Sequence, residues 1–561
     1  MAVLAPPVRP AGAAGPAGPD RRGPRAALLR LLASPPRVLL VAALLAAFAA
    51  CVDVLHDPDL WWHLRLGRWI LDNHTVPHAE MFSFTAAGNT MVAHEWGSEV
   101  LFTLLSGVGG LLLVAAVMGL VAWSGLVALA LRVRARGASA AAVAVAVLLG
   151  ARAAEPVLGT RPQVITVALV CWTLLLCERH LVRGGRWIWA LPPIVLVWAN
   201  LHGGVVLGLG SLALFVALEA LRIVLRRPGA ASWDRLRAVA VSLALAALAG
   251  CLNPDGPGLY RYSLATSGSE RLKPITEWHS PNFADPSNLG LLVLLVSFAA
   301  LVALGGRLNL RDLGMSLAGF AAALIAVRNT SLAVALALPA WTLMLQQVVT
   351  RLRLRRHARP TEESLSEAPA SEVPEPGEVP ARRSPSRTDG SPRIGAQFLG
   401  LSAAIIALAA AAPIVTITRA AADSSAAGIA STYPSCAASA LQGLPGVTLL
   451  APYYDSGYLI DQLWPSTHVF IYGESASLGM QVFDDYQRIE AGAPDALALL
   501  SAHGTNAVLT APGALKQQLE QSPAWHAVVT DPTGLTLYAA TGSSPLQAHA
   551  RCGCCRTPRS H

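Results

Sequence analysis

Charged residues are scarce in this chain. Lys, Arg, Asp and Glu make up only 14% of its 561 residues, whereas 53% of the residues are hydrophobic and the mean hydropathy is +0.48. An ordinary soluble protein of this length needs a larger polar surface, so the composition excludes that class. The sequence therefore predicts a polytopic membrane protein.

Apolar runs with the approximate length of a membrane span recur along the chain. A helix needs about 20 residues to cross about 30 Å of hydrocarbon, and several runs are shorter than this. The runs on either side of Arg161, and those on either side of Arg328, leave it open whether each pair forms one span or two. We expect about eleven transmembrane helices, at 38–54, 111–131, 138–153, 164–177, 187–200, 205–224, 238–252, 288–305, 313–327, 331–348 and 396–416.

Arginines collect at the N-terminus and in alternate loops between these runs. Short loops rich in Lys and Arg stay in the cytoplasm, so the N-terminus is predicted to be cytoplasmic and the C-terminal region extracytoplasmic. This topology accounts for the net charge of +8 without nucleic-acid binding. Beyond the N-terminal arginines, the basic loops contain Arg132, Arg134, Arg136, Arg179, Arg183, Arg186, Arg226, Arg227, Arg235, Arg237, Arg307 and Arg311, and they end in the stretch 351–359.

Composition also divides the chain into segments. A Pro-, Ser- and Glu-rich stretch with little to bury is typical of a disordered linker, and short alternating apolar runs after the last span indicate a small α/β domain. The predicted segments are a basic N-terminus (1–37), a membrane core of about ten helices (38–348), a cytoplasmic linker (349–395), a last transmembrane helix (396–416), an extracytoplasmic α/β domain (417–545) and a tail with three cysteines (546–561).

The first outer loop, 55–100, begins with acidic and aromatic residues. Asp57 and Asp59 are candidates for a catalytic base or for ligands of a divalent cation. Alternatively Asp57, with Pro58 after it, only caps the following helix. That helix carries aromatic residues and His63, and it is predicted to lie along the membrane surface.

The same loop ends in His94-Glu95-Trp96. The second His of a zinc-protease helix is absent, which excludes that class of enzyme. Glu95 can join Asp57 and Asp59 in an acid–base or cation site, or it can cap a helix together with Glu99. A metal ion is therefore left open, with these three carboxylates as its candidate ligands.

Cationic residues in the outer loops run against the preference for positive charge in the cytoplasm. Such residues at a membrane surface suit the phosphate of a lipid carrier. His202, in the motif NLHGG, has a packing role or a substrate-binding role. The candidate substrate-binding residues are His63, His94, Arg161, His202, Arg261, Lys273 and Arg328.

The stretch DPDLWWHLRLGRWILDNHTVPHAEMFSFTAAGNT resembles the first outer loop of oligosaccharyltransferase catalytic subunits, which are integral-membrane glycosyltransferases of the GT-C fold. The chain also resembles bacterial polytopic membrane proteins that share DPDLWWHL, HEW, NLHG, LNP-G and a C-terminal GYLI…VFI-G pattern. In that set, Asp-Gly-Arg often stands where this chain has Tyr472-Gly473-Glu474.

The resemblance implies inverting transfer of a sugar from a polyprenyl-phosphate carrier to a glycan, lipid or protein of the cell envelope, at the outer face of the inner membrane. It places the catalytic aspartate at Asp57 or Asp59. The WWD-type motif of oligosaccharyltransferases is absent from the C-terminal domain, which disfavours protein N-glycosylation.

Two alternatives to a transferase are open from the sequence. One is a non-catalytic or ligase-like protein of polysaccharide assembly, in which the carboxylates only cap helices. The other is a transporter, which favours acidic groups within spans. Because Glu219 is the one clear carboxylate within a predicted span, transport is disfavoured.

Overall fold

The computed structural model describes residues 24–52, 57–267, 275–357, 396–474 and 477–542. Lys273, most of the predicted linker and the cysteines of the tail lie outside these residues.

The described part is mostly helical, and each predicted apolar run coincides with a helix. Seven of the described helices are long and apolar enough to cross a membrane, which is fewer than the eleven spans predicted. The α-helices before the predicted linker are α1 (Pro24–Leu32), α2 (Pro35–Cys51), α3 (Leu60–Asn73), α4 (Trp96–Ala135), α5 (Ala140–Ala154), α6 (Gln163–Arg183), α7 (Leu191–Leu201), α8 (Val205–Val224), α9 (Trp233–Ala249), α10 (Gly258–Ser267), α11 (Leu289–Ala303), α12 (Leu310–Ile325) and α13 (Thr330–His357).

Helix α4 is broken at Gly109 and Gly110. Gly110 has a φ of 65°, a conformation that glycine adopts without the steric cost that other residues incur. The predicted apolar run, which starts at 111, therefore begins directly after this break. The part of α4 before the break follows the first outer loop and packs against α3, where Thr103 donates a hydrogen bond to the Leu64 carbonyl.

Arginines that we assigned to basic loops are paired with buried carboxylates. Glu178 on α6 accepts from Arg132 at 2.9 Å and from Arg311 at 3.2 Å, and Glu219 accepts from Arg311 and Arg222. The expectation that Glu219 is the one carboxylate within a span is therefore wrong. Glu178 was not recognised from the sequence, because it precedes Arg179 and was therefore assigned to the basic loop that follows the predicted span 164–177.

A small α/β domain follows helix α14 (Ala396–Asp423), as predicted. Its mixed five-stranded sheet has the order β2-β1-β3-β5-β4, with β1 parallel to β2 and β3, and β5 antiparallel to β3 and β4. The elements are α15 (Ala426–Thr432), α16 (Ser435–Leu441), β1 (Val447–Leu450), α17 (Tyr453–Leu463), β2 (Thr467–Val469), α18 (Met480–Glu490), α19 (Ala496–Ala502), β3 (Ala507–Thr510), α20 (Ala514–Gln521), β4 (Trp525–Thr530) and β5 (Thr536–Ala540).

The first outer loop completes the edge of this sheet. Ser83 forms an isolated parallel bridge with Val469 of β2. The Phe84 N–H donates to the Val469 carbonyl at 3.1 Å, and the Val469 N–H donates to the Phe82 carbonyl at 3.0 Å. The loop and the C-terminal domain consequently share one hydrophobic core, which includes Phe82 and Tyr472. The sequence did not predict this contact.

Helix α3 begins at Leu60, with Asp59 at its N-cap position, although the Asp59 side chain forms no capping hydrogen bond. The Asp57 carboxylate accepts the N–H of Asp59, two residues on, as a capping side chain does, so the alternative that Asp57 caps the turn leading into this helix agrees with the structure. Trp61 and Trp62 are only 5% and 4% exposed, because aromatic rings of the C-terminal domain pack edge-on against both indoles. Eight of the 14 residues of the helix are buried inside the protein, and its position along the membrane surface stays a prediction.

Candidate active site

A cavity of about 990 Å³ lies where the membrane helices meet the C-terminal domain. Short loops between helices, the first outer loop and the C-terminal domain all contribute to its lining. Seven of the ten predicted site residues line this cavity: Asp59, His63, His94, Glu95, Arg161, His202 and Arg328.

The predicted residue Arg261 is exposed and is not among those lining the cavity. Lys273 lies outside the described residues. Asp57 is nearly buried, at 4% exposure, and stands behind Arg161 rather than on the cavity wall.

Two arginines are held on the wall by acidic residues. Arg161 Nε lies 2.9 Å from Asp57 Oδ2, and Arg161 Nη1 lies 3.2 Å from Glu277 Oε2. The other oxygen of Glu277 lies 3.1 Å from Arg328 Nη1. The Arg328 guanidinium also stacks on Trp278, 4.1 Å from the ring centre. A carboxylate thus bridges the two guanidinium groups, so an anion of that size fits between them.

Asp59 stands at the contact between α3 and the C-terminal domain. Its Oδ1 accepts a hydrogen bond of 2.9 Å from Trp62 Nε1. The backbone of Gly473 approaches so closely that a Cβ atom there would lie 1.8 Å from Asp59 Oδ1. Burial raises the pKa of Asp59, although the nearby His63 charge and the Trp62 hydrogen bond act in the opposite direction.

Glu95 is surrounded by three histidines. Its Oε1 lies 3.1 Å from His202 Nε2 and 3.4 Å from His94 Nε2, and its Oε2 lies 3.5 Å from His63 Nε2. Burial opposes a charge on Glu95, but these neighbours prevail and hold its pKa well below the usual value. The Glu95 side chain forms no helix-capping hydrogen bond.

Two of the three histidines favour the charged form. Burial disfavours the charge on His63, yet Glu99 and Glu95 raise its pKa to about 9. Burial likewise opposes a charge on His94, whose pKa Glu95 and Glu474 raise to about 9. At neutral pH, therefore, a carboxylate and two imidazolium groups lie in direct contact.

His202 differs from the other two because its surroundings fix a neutral tautomer. The Gly204 N–H donates to His202 Nδ1 at 3.0 Å, and the Thr166 hydroxyl lies 2.7 Å from the same nitrogen. The Thr166 hydroxyl oxygen accepts a hydrogen bond from Trp198 Nε1, so the Thr166 hydroxyl proton is available for donation to His202. Nδ1 is thus an acceptor, and Nε2 carries the hydrogen donated to Glu95. Burial lowers the pKa of His202 in agreement with this assignment.

Glu474, in the turn after β2, is a cavity residue that we did not select from the sequence. It is 4% exposed, and its Oε1 accepts a hydrogen bond of 3.4 Å from the Tyr262 hydroxyl. Burial raises its pKa to about 7 despite the nearby His94 charge. Glu277 was likewise not selected, although the run Glu277-Trp278-His279 resembles His94-Glu95-Trp96 in composition and was the available signal.

The carboxylates do not fit a shared metal ion. Asp57 is paired with Arg161, Asp59 accepts from Trp62, and Glu95 is enclosed by imidazoles, so each faces a donor of the protein itself. Among the residues described, no three His, Cys, Asp or Glu side chains are placed to hold a metal. We therefore derive no chemical step through a cation.

Comparison of the whole chain with known proteins gives structural neighbours but no sequence relative. No protein-family model matches the chain, and no curated protein matches it. The oligosaccharyltransferase AglB from Archaeoglobus fulgidus, in complex with an inhibitory peptide and a dolichol-phosphate, superposes with a TM-score of 0.53 at 12% identity, covering 90% of this chain and 74% of that one. The apo form of the Archaeoglobus fulgidus oligosaccharyltransferase gives 0.51 at 15% identity with the same coverage.

The chain has a GT-C fold. ArnT from Cupriavidus metallidurans is a further similar structure, with a TM-score of 0.49 at 13% identity, covering 90% of this chain and 97% of that one. At these identities the likeness concerns the fold alone. The two superpositions with TM-scores above 0.5 support the expected GT-C architecture, and the arguments about function rest on the site itself.

Proposed function

We propose that this protein is a membrane glycosyltransferase that moves a sugar from a polyprenyl-phosphate carrier to an acceptor of the cell envelope. The observation that carries the proposal is the placement of Asp59, Arg161 and Arg328 on one cavity at the end of the membrane helices. The fold of AglB, whose structure holds a dolichol-phosphate, supports the same assignment.

Arg161 and Arg328 bind the phosphate of the donor in this proposal. Each stands two residues before a long helix, α6 or α13, and the N-terminus of a helix favours an anion. Asp57 and Glu277 hold the guanidinium groups in place. The Glu277 side chain is 35% exposed, so it can yield its position between the arginines to a phosphate.

Asp59 is the general base, and Asp57 is a positioning residue for Arg161. Asp59 lines the cavity, whereas Asp57 is buried behind it. Asp59 takes the proton of the acceptor group as that group attacks the anomeric carbon of the sugar. The bond from that carbon to the phosphate oxygen breaks, and the polyprenyl phosphate leaves with its charge held by the two arginines. Attack opposite the leaving group inverts the anomeric centre.

Two variants of the purified full chain separate the two roles. Asp59→Asn should lower the rate of sugar transfer about 10²- to 10⁴-fold, as loss of a general base does, while binding of undecaprenyl phosphate is unchanged. Arg328→Gln should weaken that binding instead. Asp485→Asn is a matched control, because Asp485 is a buried carboxylate paired with His503 in the C-terminal domain and is not among the cavity residues.

The donor sugar for this assay comes from a deletion strain, as the lipid-linked sugar that accumulates in its membranes. Full activity of Asp59→Asn would refute the mechanism and favour a ligase-like role in which the arginines and histidines do the chemistry.

A further inference from the structure

The C-terminal domain contributes a second polar wall to the cavity that the two arginines line. Glu474 and Gly473 come from the turn after β2, and Tyr453 and Tyr454 come from the first turn of α17. Gly473 is in contact with Asp59. Glu474 is the next residue in the chain, so its backbone lies near Asp59, the residue that we propose as the base, and both residues line the same cavity.

Glu474 gives this wall an acidic group, whereas the basic groups Arg161 and Arg328 face the donor in our proposal. Glu474 is a buried carboxyl group that accepts one hydrogen bond, from Tyr262, and within the described residues no further side chain donates to it. A carboxylate has room for about four hydrogen bonds. Burial and the charge of Glu474 hold the pKa of Tyr262 well above its usual value, so the phenol stays a donor.

Aromatic side chains line the same part of the protein as this carboxyl group. Tyr454 lines the cavity and is 59% exposed, so part of its side chain is accessible to a ligand. The Tyr262 ring packs on His94 with centres 5.0 Å apart, which holds the phenol in place. Apolar ring faces next to a few fixed polar groups bind ligands that have both apolar C–H faces and hydroxyl groups.

We infer that Glu474, Tyr262 and Tyr454 form an acceptor subsite for an uncharged saccharide, with Glu474 accepting hydrogen bonds from its hydroxyl groups. The inference rests on the proposed transferase function and names its acceptor class. A phosphorylated acceptor is disfavoured, because it would bring a second anion next to the Glu474 carboxyl group, and the nearby His94 imidazolium is already paired with Glu95. The reacting hydroxyl lies between Glu474, which orients the sugar, and Asp59, which takes its proton.

Binding of small glycosides to the full chain tests this subsite directly. The protein is held in a detergent without a sugar head group, and saturation-transfer NMR is recorded with a panel of methyl pyranosides and methyl furanosides. A short Asn- and Ser-containing peptide and ethanolamine serve as probes for a protein acceptor and a cationic acceptor. We expect at least one glycoside to bind, and Glu474→Gln and Tyr262→Phe to weaken its binding at least about tenfold.

Asp485→Asn is again the control and should bind the glycoside as the unaltered chain does. Binding of undecaprenyl phosphate, followed by thermal shift, should be unchanged in Glu474→Gln. This donor measurement separates the two proposals. If undecaprenyl phosphate binds but no glycoside does, or if Glu474→Gln binds the glycoside normally, the saccharide subsite is refuted and the transferase proposal stands.

Binding of the peptide or of ethanolamine in place of a glycoside would also overturn the inference, and would assign this wall to a protein or amine acceptor. If the unaltered chain binds neither undecaprenyl phosphate nor any glycoside, both proposals fail together.

Discussion

Replacement of Gly473 by alanine should disable the site through one methyl group. The added Cβ would lie 1.8 Å from Asp59 Oδ1, whereas Cβ atoms in proteins essentially never come within 3.0 Å of another heavy atom. The Asp59 carboxylate must therefore move by about 1.2 Å, or the turn must retreat by the same distance. The Cβ would also lie 2.7 Å from Trp62 Nε1, so the hydrogen bond that orients Asp59 is disturbed as well.

A displacement of about 1 Å at a reacting group costs about 10²-fold in rate, which is about 2.7 kcal/mol of transition-state stabilisation. We therefore expect Gly473→Ala to lower kcat for sugar transfer about 100-fold. Binding of undecaprenyl phosphate should change little, because the atoms nearest to the added Cβ belong to Asp59 and Trp62 rather than to the two arginines. The assay is transfer of radiolabelled sugar by the purified chain at saturating donor.

Gly479→Ala provides a matched control six residues further along the same segment. No described atom lies within 4 Å of the Cβ position at Gly479, and its φ of −71° suits alanine. Its kcat should equal that of the unaltered chain. If Gly473→Ala lowers the melting temperature too far to be assayed, Trp62→Phe removes the hydrogen bond to Asp59 and should still cost about tenfold in kcat. Unchanged kcat in both Gly473→Ala and Trp62→Phe would refute the role of Asp59.

Other predictions concern the donor site, pH, topology and assembly. Asp57→Asn should weaken binding of undecaprenyl phosphate, because the substitution removes the carboxylate that holds Arg161 in place. It should not cause the loss of kcat expected for Asp59→Asn. Equal losses of kcat in the two variants would contradict the assignment of Asp57 as a positioning residue and Asp59 as the base. A general base must be deprotonated to act, and burial raises the pKa of Asp59 above the ordinary aspartate value of 3.8. As the pH is lowered, kcat should therefore begin to fall while the pH is still above 3.8. A fall in kcat that begins only at or below pH 3.8 would contradict this. Reporter fusions at residues 380 and 450 should report opposite sides of the membrane, and the same side for both would refute the topology. Residues 426–542 expressed alone should aggregate, since the loop that covers part of their core is missing. Addition of a soluble peptide spanning 78–92 should improve the solubility of this fragment. If the fragment is soluble and unfolds cooperatively without that peptide, the shared core is dispensable.

The helical core and the small C-terminal α/β domain could be predicted because their signals are local. An apolar run or a short alternating strand is visible within a window of a few residues. The candidate residues could also be selected locally, since ionisable groups next to apolar runs, such as Asp59 and Arg328, are costly to keep there.

The sequence could not distinguish Asp57 from Asp59, because their roles depend on residues that are distant along the chain. Arg161 pairs with Asp57, and Gly473 contacts Asp59. The same reason explains why Glu474 was missed: it acquires its environment from Tyr262, which is 212 residues away. Glu178 was missed because a carboxylate beside an arginine reads as part of a polar loop until its partners on other helices are known.

The bridge between the first outer loop and strand β2 bears on how the protein is made. Thr85 in this loop donates a hydrogen bond to the Phe470 carbonyl, 385 residues later in the chain. At about 5–20 residues per second, the ribosome needs about 20–80 s to synthesise that interval. During this time the buried aromatic face of α3 has no partner from the C-terminal domain. The cavity can be completed only when the chain is almost complete, so we expect truncated chains that insert normally into the membrane to lack the proposed activity and to be open to aggregation or to a protecting chaperone.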